Sequence, residues 1–164
     1  MMLILFLCFL ALCAATPLEE KNTKLQRGGC PPFWYSFNGR CFRYVAAHRT
    51  WIDAEQRHCV SLGANLVSIH SEEEHNFVNT LIRNFDLTEG RTWIGLSDIH
   101  EESSWMWSDG SRVDFVFWKT GEPNNNGGPE PCVETSFGVN KKWNDERCSR
   151  MEPFVCALRT ICPQ

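Results

Sequence analysis

Beyond Ala15 the chain has no apolar run near the roughly 20 residues that carry a helix across a bilayer, so no membrane span is expected there. It has no Asn-x-Ser or Asn-x-Thr triplet, which excludes N-linked glycosylation. It has no Cys-x-x-Cys pair, and the common zinc frameworks fall with that absence. Lysine and arginine are scattered through a chain of net charge −4, which leaves no footprint for nucleic acid. Internal repeats, a glycine period and a heptad pattern are missing as well. A collagen-like stalk and a coiled-coil neck are thereby ruled out.

What is present begins with Met1 to Ala15, almost wholly apolar and closed by the small residues Cys13-Ala14-Ala15. Its length and ending predict a secretory signal peptide cleaved after Ala15, although no basic residue precedes the apolar stretch. The protein is therefore expected to be secreted and extracellular. Residues 16–29 read as a short polar lead, 30–158 as one domain, and 159–164 as a tail. The domain is long enough to bury a real core, and the seven Trp and eleven Phe of the whole chain point to an aromatic interior. Cys8 and Cys13 leave with the leader. Cys30, Cys41, Cys59, Cys132, Cys148, Cys156 and Cys162 remain. In an oxidising compartment these predict disulfides, with the pairing left open and one thiol without an intrachain partner.

Aromatic and polar residues alternate over 33–47 around Asn38-Gly39, a dipeptide that predicts a hairpin turn, and Cys30 and Cys41 are placed to staple it. Thr50 as N-cap opens a helix expected to bury Trp51, Ala54, Cys59 and Leu62. Ser71 with Glu74 forms a capping box for a second helix, whose buried stripe is Phe77, Val78, Leu81 and Ile82. The acids Glu72, Glu73 and Glu74 suit a helix N-terminus. Strands are expected at 65–69, 93–96 and 105–107, and an apolar segment at 113–118. Further strands follow at 132–137, 141–145 and 154–158. Helices early and strands late predict an α+β domain.

Side-chain oxygen acceptors concentrate in and after the Gly/Pro/Asn-rich connection 120–131. Glu122-Pro123-Asn124 opens the group, Glu130 follows, and Asn144-Asp145 lie beyond Trp143 in a strand-like segment. These three carboxylates and two carboxamides are the hard-oxygen set that calcium takes, and five side chains leave coordination positions open for a ligand. Cys132 and Cys148 bracket the gap between the two halves, where a bridge would hold them together.

In this order and spacing, Trp93-Ile94-Gly95-Leu96, Glu122-Pro123-Asn124, Trp143-Asn144-Asp145 and six cysteines resemble the C-type lectin-like domain in its long form. The likeness covers about residues 30–158 and extends to small secreted fish lectins. It implies the disulfides Cys30–Cys41, Cys59–Cys156 and Cys132–Cys148. It implies a calcium site built by Glu122, Asn124, Glu130, Asn144 and Asp145, with Asp145 adding its backbone carbonyl. A cis peptide bond before Pro123 is implied too, aiming both neighbouring side chains at one ion. The same five residues would bind carbohydrate, since two adjacent sugar hydroxyls can fill the open positions while bonding to the Asn amides and the carboxylates. Glu-Pro-Asn implies mannose-type glycans, with galactose or lactose as the alternative. Family analogy extends the targets to microbial surface sugars and innate immunity. With six cysteines assigned by resemblance, Cys162 is left in the tail, placed to link two chains as a disulfide-bonded homodimer.

Asp98 and Glu102 match two ligands of an auxiliary calcium site found in many relatives. Asn125 and Pro131 stand where its other two acids belong, and Pro131 has no side-chain oxygen. Asp98 and Glu102 therefore read as solvated loop acids. The pair Glu122 and Glu130 resembles the two acids of a glycosidase, but calcium would occupy and neutralise both, so no enzyme is expected. The remaining alternative is use of the fold for ice or protein binding without sugar; the ice-binding fish relatives carry more cysteines than the seven here. Trp93, Trp118 and Trp143 read as core rather than sugar platforms. His48, His58, His70, His75 and His100 read as surface or capping residues.

Overall fold

The computed structural model describes residues 25–158. The expected leader, residues 16–24 of the polar lead and the tail with Cys162 lie outside the described residues. Strands β1 (Tyr35–Phe37) and β2 (Arg40–Arg49) form a hairpin, closed by Asn38 and Gly39 at φ 45° and 74°. Both angles are left-handed, the conformation that an Asn-Gly turn supplies at least cost. The other strands are β3 (Asn65–Leu66), β4 (Thr92–Ser97), β5 (Met106–Trp107), β6 (Cys132–Phe137), β7 (Lys142–Glu146) and β8 (Glu152–Leu158). They run in the order β1-β2-β8-β4-β6-β7, with β3 on β8 and β5 on β4. The β4–β8 pair is parallel and the other pairs are antiparallel. Segment 65–69 is strand only at its first two residues, and 113–118 forms no strand.

Helix α1 (Glu72–Phe85) is capped as its sequence demands: the Glu74 N–H donates to Ser71 Oγ at 3.2 Å. Phe77, Val78, Leu81 and Ile82 are buried against Phe42, Ile94 and Val155, each contributing about 1.5–3 kcal/mol. Glu74 is more than first-turn charge. It is buried, accepts from the His70 N–H at 2.8 Å and pairs with Arg40 at 3.0 Å, tying helix to hairpin.

The first helical segment departs from expectation. Residues Asp53–Cys59 form a widened helix in which the Val60 N–H reaches back to the Glu55 carbonyl, and Val60–Leu62 then tighten into a 3₁₀ turn. Trp51, Ala54 and Cys59 are buried as patterned, but Leu62 is exposed. One extra residue in a turn rotates the residues after it by about 100° and carries Leu62 off the buried face. Glu55 is held inside by Asn65 Nδ2 and the Leu66 N–H, both at 2.6 Å, and by the Ser108 hydroxyl at 3.0 Å.

Three disulfides form: Cys30–Cys41, Cys59–Cys156 and Cys132–Cys148. The second sits in an apolar cluster with Trp34, Trp51, Trp93 and Phe154. Gly95 lies where two strands nearly touch. A Cβ there would sit 2.6 Å from the Leu66 carbonyl oxygen and 2.8 Å from Ser108 Oγ. Gly95→Ala is expected to cost about 1–3 kcal/mol in chemical denaturation; an unchanged midpoint would mean that β3 retreats freely.

Candidate calcium and carbohydrate site

β7 is the last strand in the sheet order, and the limb leading into the long loop covers it. Trp118 bridges Trp143, the Lys119 N–H donates to the Trp143 carbonyl at 2.9 Å, and the Trp143 N–H donates to the Phe117 carbonyl at 3.0 Å. This cover on an otherwise open edge sets the loop beside Asn144 and Asp145. Buried Trp143 anchors the arrangement, with Trp107, Phe115 and Trp118 rings around it. Trp93 is fully buried as well, so neither it nor Trp143 offers a sugar platform.

The loop is folded over its own carboxylates. The Asn124 N–H lies 3.1 and 3.0 Å from the two Asp145 oxygens, and the Asn125 N–H donates to Asp145 Oδ2 at 2.8 Å. The Asn126 N–H donates to Glu130 Oε2 at 2.7 Å, and the Glu130 N–H returns to Asn125 Oδ1 at 2.8 Å. Arg147 Nη2 holds the Gly127 carbonyl at 2.6 Å. Hydrogen bonds to ionised acceptors are the strong ones, so the acids order the loop that carries them. The Glu122–Pro123 peptide is cis.

Glu122, Asn124, Glu130 and Asn144 line one open cleft of about 240 Å³. Asp145 is 1% exposed and spends its carboxylate on the loop N–H groups. Asn144 Nδ2 donates to the Asp145 carbonyl at 2.7 Å and to Glu134 Oε1 at 3.1 Å. Among the described residues no three His, Cys, Asp or Glu side chains converge as a metal cluster by themselves; any cation here needs the carboxamides too. One observation favours a cation: Glu122 Oε2 is buried and has no hydrogen-bond partner. Burial, and then the charge of Asp145, push the Glu122 carboxyl above its usual range. Burial raises Glu130 as well, with Asp145 and Glu146 adding to it against the Asn126 N–H. Crowded acids around an orphaned oxygen fit a hard, oxygen-seeking ion such as calcium.

Several residues in and under the cleft carry no sequence motif. Arg91, Phe137, Glu146 and Arg150 line it beside the acids. Arg91 Nη1 lies 3.3 Å from Glu134 and from Glu146, and its guanidinium sits 4.6 Å from the Phe137 ring. Glu134 is wholly buried, and burial pushes its carboxyl up to about 8 against the pull of Arg91. The available signal was an acid in the middle of the strand expected at 132–137.

Of the two acids at the auxiliary positions, Glu102 is an exposed loop acid as expected and Asp98 is not. Asp98 is buried, its N–H donates to the Pro131 carbonyl at 3.1 Å, and its Oδ2 accepts from the Ser103 N–H at 2.7 Å. Asn125 Nδ2 donates to Glu102 Oε1 at 2.8 Å, so an amide hydrogen bond stands where the family has an acid.

His75 is a second correction, because it is core rather than surface at 1% exposed. The Trp143 indole donates to His75 Nδ1 at 3.1 Å, and His75 Nε2 lies 2.9 Å from Asn79 Nδ2. Burial lowers its pKa to about 4. The unfolded chain binds this proton first, so the contribution to stability is complete above the ordinary 6.5 and is lost as pH falls toward 4. The full loss is about 3 kcal/mol. Denaturation midpoints between pH 7 and pH 4 should fall more steeply for wild type than for His75→Phe; parallel curves would show that another group carries the effect.

The family profile described as the lectin C-type domain matches residues 47–158. The chain belongs to that family. Ladderlectin of Oncorhynchus mykiss is 44% identical over 127 residues, which is 77% of this chain and 66% of that protein. Lactose-binding lectin l-2 of Anguilla japonica is 44% identical over 141 residues, 84% of this chain and 82% of that protein. Among solved structures, the herring type II antifreeze protein aligns with a TM-score of 0.73 at 35% identity, covering 81% of this chain and 100% of that one. The α+β fold is thus that of C-type lectin-like proteins. No helix among the described residues is long and apolar enough to cross a membrane.

Proposed function

We propose that this protein is a secreted, calcium-dependent lectin whose sugar site is Glu122, Asn124, Glu130, Asn144 and Asp145. The observation that carries this reading is the cleft itself: four of the five residues line it, and one of them, Glu122, has a buried carboxylate oxygen without a hydrogen-bond partner. Asp145 orders the loop from behind. A bound calcium ion would supply coordination to two neighbouring sugar hydroxyls. The Asn124 amide would then donate to a hydroxyl oxygen and Glu122 and Glu130 would accept the hydroxyl protons, while Asn144, whose amide N–H groups are held by Glu134 and the Asp145 carbonyl, would offer its Oδ1 to the ion. The partner is a glycan, and no turnover is expected in a reducing-sugar release assay.

Glu-Pro-Asn supports mannose-type glycans with equatorial 3- and 4-hydroxyls. A second reading, galactose or lactose, is favoured by the lactose-binding name of a relative that is 44% identical. A glycan array with calcium, repeated in EDTA, tests both: binding that survives EDTA sinks the mechanism. Glu122→Gln with Asn124→Asp keeps oxygen count and charge while moving the carboxylate, and is expected to shift preference from mannose to galactose. A wild type that already prefers galactose would show that Glu-Pro-Asn does not set the sugar here. Ice shaping without sugar binding would place the chain with the herring antifreeze protein instead. The proposal includes the domain limits 1–15, 16–29, 30–158 and 159–164, and an interchain Cys162 disulfide. Non-reducing electrophoresis against Cys162→Ser decides the last point.

A further inference from the structure

A second cleft adjoins the candidate sugar site, and Arg91 is a wall of both. Its volume is about 320 Å³, within the range of small-ligand pockets. Tyr44 of β2 and Phe85, the last residue of α1, form its aromatic side, with rings stacked 6.0 Å apart at 15°. Phe85 is 53% exposed, and the Tyr44 hydroxyl has no hydrogen-bond partner among the described residues. Asp86, Thr88 and Glu152 supply polar groups to its lining, with the Thr88 hydroxyl donating to Asp86 Oδ1 at 2.7 Å.

A row of charges joins the two clefts. Arg91 and Arg150 both reach Glu146 Oε2, at 3.3 and 2.9 Å, and Arg150 Nε continues to Glu152 Oε1 at 3.1 Å. Glu146 and Arg150 face the first cleft and Glu152 faces the second. The boundary between them is therefore a polar ridge of satisfied ion pairs.

Resting on the calcium-lectin reading, we propose that the two clefts form one extended groove. The first takes the terminal sugar, and the Tyr44–Phe85 cleft takes a further residue of the same oligosaccharide. A hexose has an apolar C–H face and a rim of hydroxyls. A half-buried tyrosine stacked on an exposed phenylalanine, with a threonine and two carboxylates in the same lining, complements both features. An apolar protein segment would instead strip water from the Arg91 and Glu152 ion pairs and offer them no hydrogen bonds in return. The continuity through Arg91 is what commits the groove to glycan.

Isothermal titration in calcium tests this with methyl α-mannoside or methyl β-galactoside, whichever the array selects, against a branched oligosaccharide ending in the same sugar. Wild type is expected to bind the oligosaccharide about tenfold more tightly, and Phe85→Ala and Tyr44→Leu to lose about fivefold of that while keeping monosaccharide affinity, the size of one or two aromatic contacts. Phe85→Leu, which keeps apolar volume without a ring, separates stacking from folding, and unfolding midpoints confirm that each variant is intact. An oligosaccharide no tighter than the monosaccharide overturns the groove and leaves the calcium site standing. Unchanged oligosaccharide affinity in the variants does the same, including the case where Phe85→Ala abolishes self-association and reveals an interface between copies. Monosaccharide binding that is absent or insensitive to EDTA overturns the calcium site and the groove with it.

Discussion

Asp145→Asn is expected to reduce sugar binding to background while the domain stays folded. The carboxylate holds the Asn124 and Asn125 N–H groups, and by the proposed function it also carries one of three negative charges toward calcium. Hydrogen bonds to an ionised acceptor contribute about 1.5–3 kcal/mol each, so losing the charge weakens loop order and cation binding together, by about 100-fold or more in affinity. An asparagine keeps the shape and the core contacts, which separates this change from a folding defect. Retention on a sugar matrix across a calcium titration reads the effect, and circular dichroism checks the fold. Glu102→Gln is the matched control, because Glu102 only accepts from Asn125 at the neighbouring position. Its binding should stay close to wild type. Equal losses in the two variants would mean that general loop disorder, and not the Asp145 charge, governs binding.

Removing the Cys59–Cys156 bridge is expected to take most of the domain's stability. The bridge spans 97 residues of sequence, and loop-closure entropy for a span of that size is worth about 5 kcal/mol. Cys30–Cys41 spans only 11 residues, for which the same relation gives about 3 kcal/mol. The long bridge also sits in the cluster of Trp34, Trp51 and Phe154, so its loss leaves a gap in packed core. Domains of this size are stable by only about 5–15 kcal/mol, which makes Cys59→Ala with Cys156→Ala a change near the limit of folding. Urea denaturation of the two double variants gives the comparison. Equal losses would show that neither loop length nor the buried cluster sets the cost.

The second helix and the hairpin were both legible from residue order alone. Each depends on chemistry that acts over a few residues. Ser71 caps Glu74 three positions on, Asn38-Gly39 accepts left-handed angles without strain, and Phe77, Val78, Leu81 and Ile82 share a face by helical period. Lectin family membership rests on motifs of the same local kind, and the family profile agrees. What tertiary structure decided are the states of groups whose partners lie far along the chain. His75 is neutral and buried because Trp143, 68 residues away, donates to it. Asp98 is buried because the Pro131 carbonyl and the Ser103 N–H close on it, and Glu102 is engaged because Asn125 reaches it. Leu62 points outward because the preceding helix widens around Cys59, whose partner Cys156 lies 97 residues on. The groove past Arg91 exists only because the end of α1 and the middle of β2 meet beside β8. Burial and long-range partners set charge, solvation and exposure, and no spacing in the sequence encodes them.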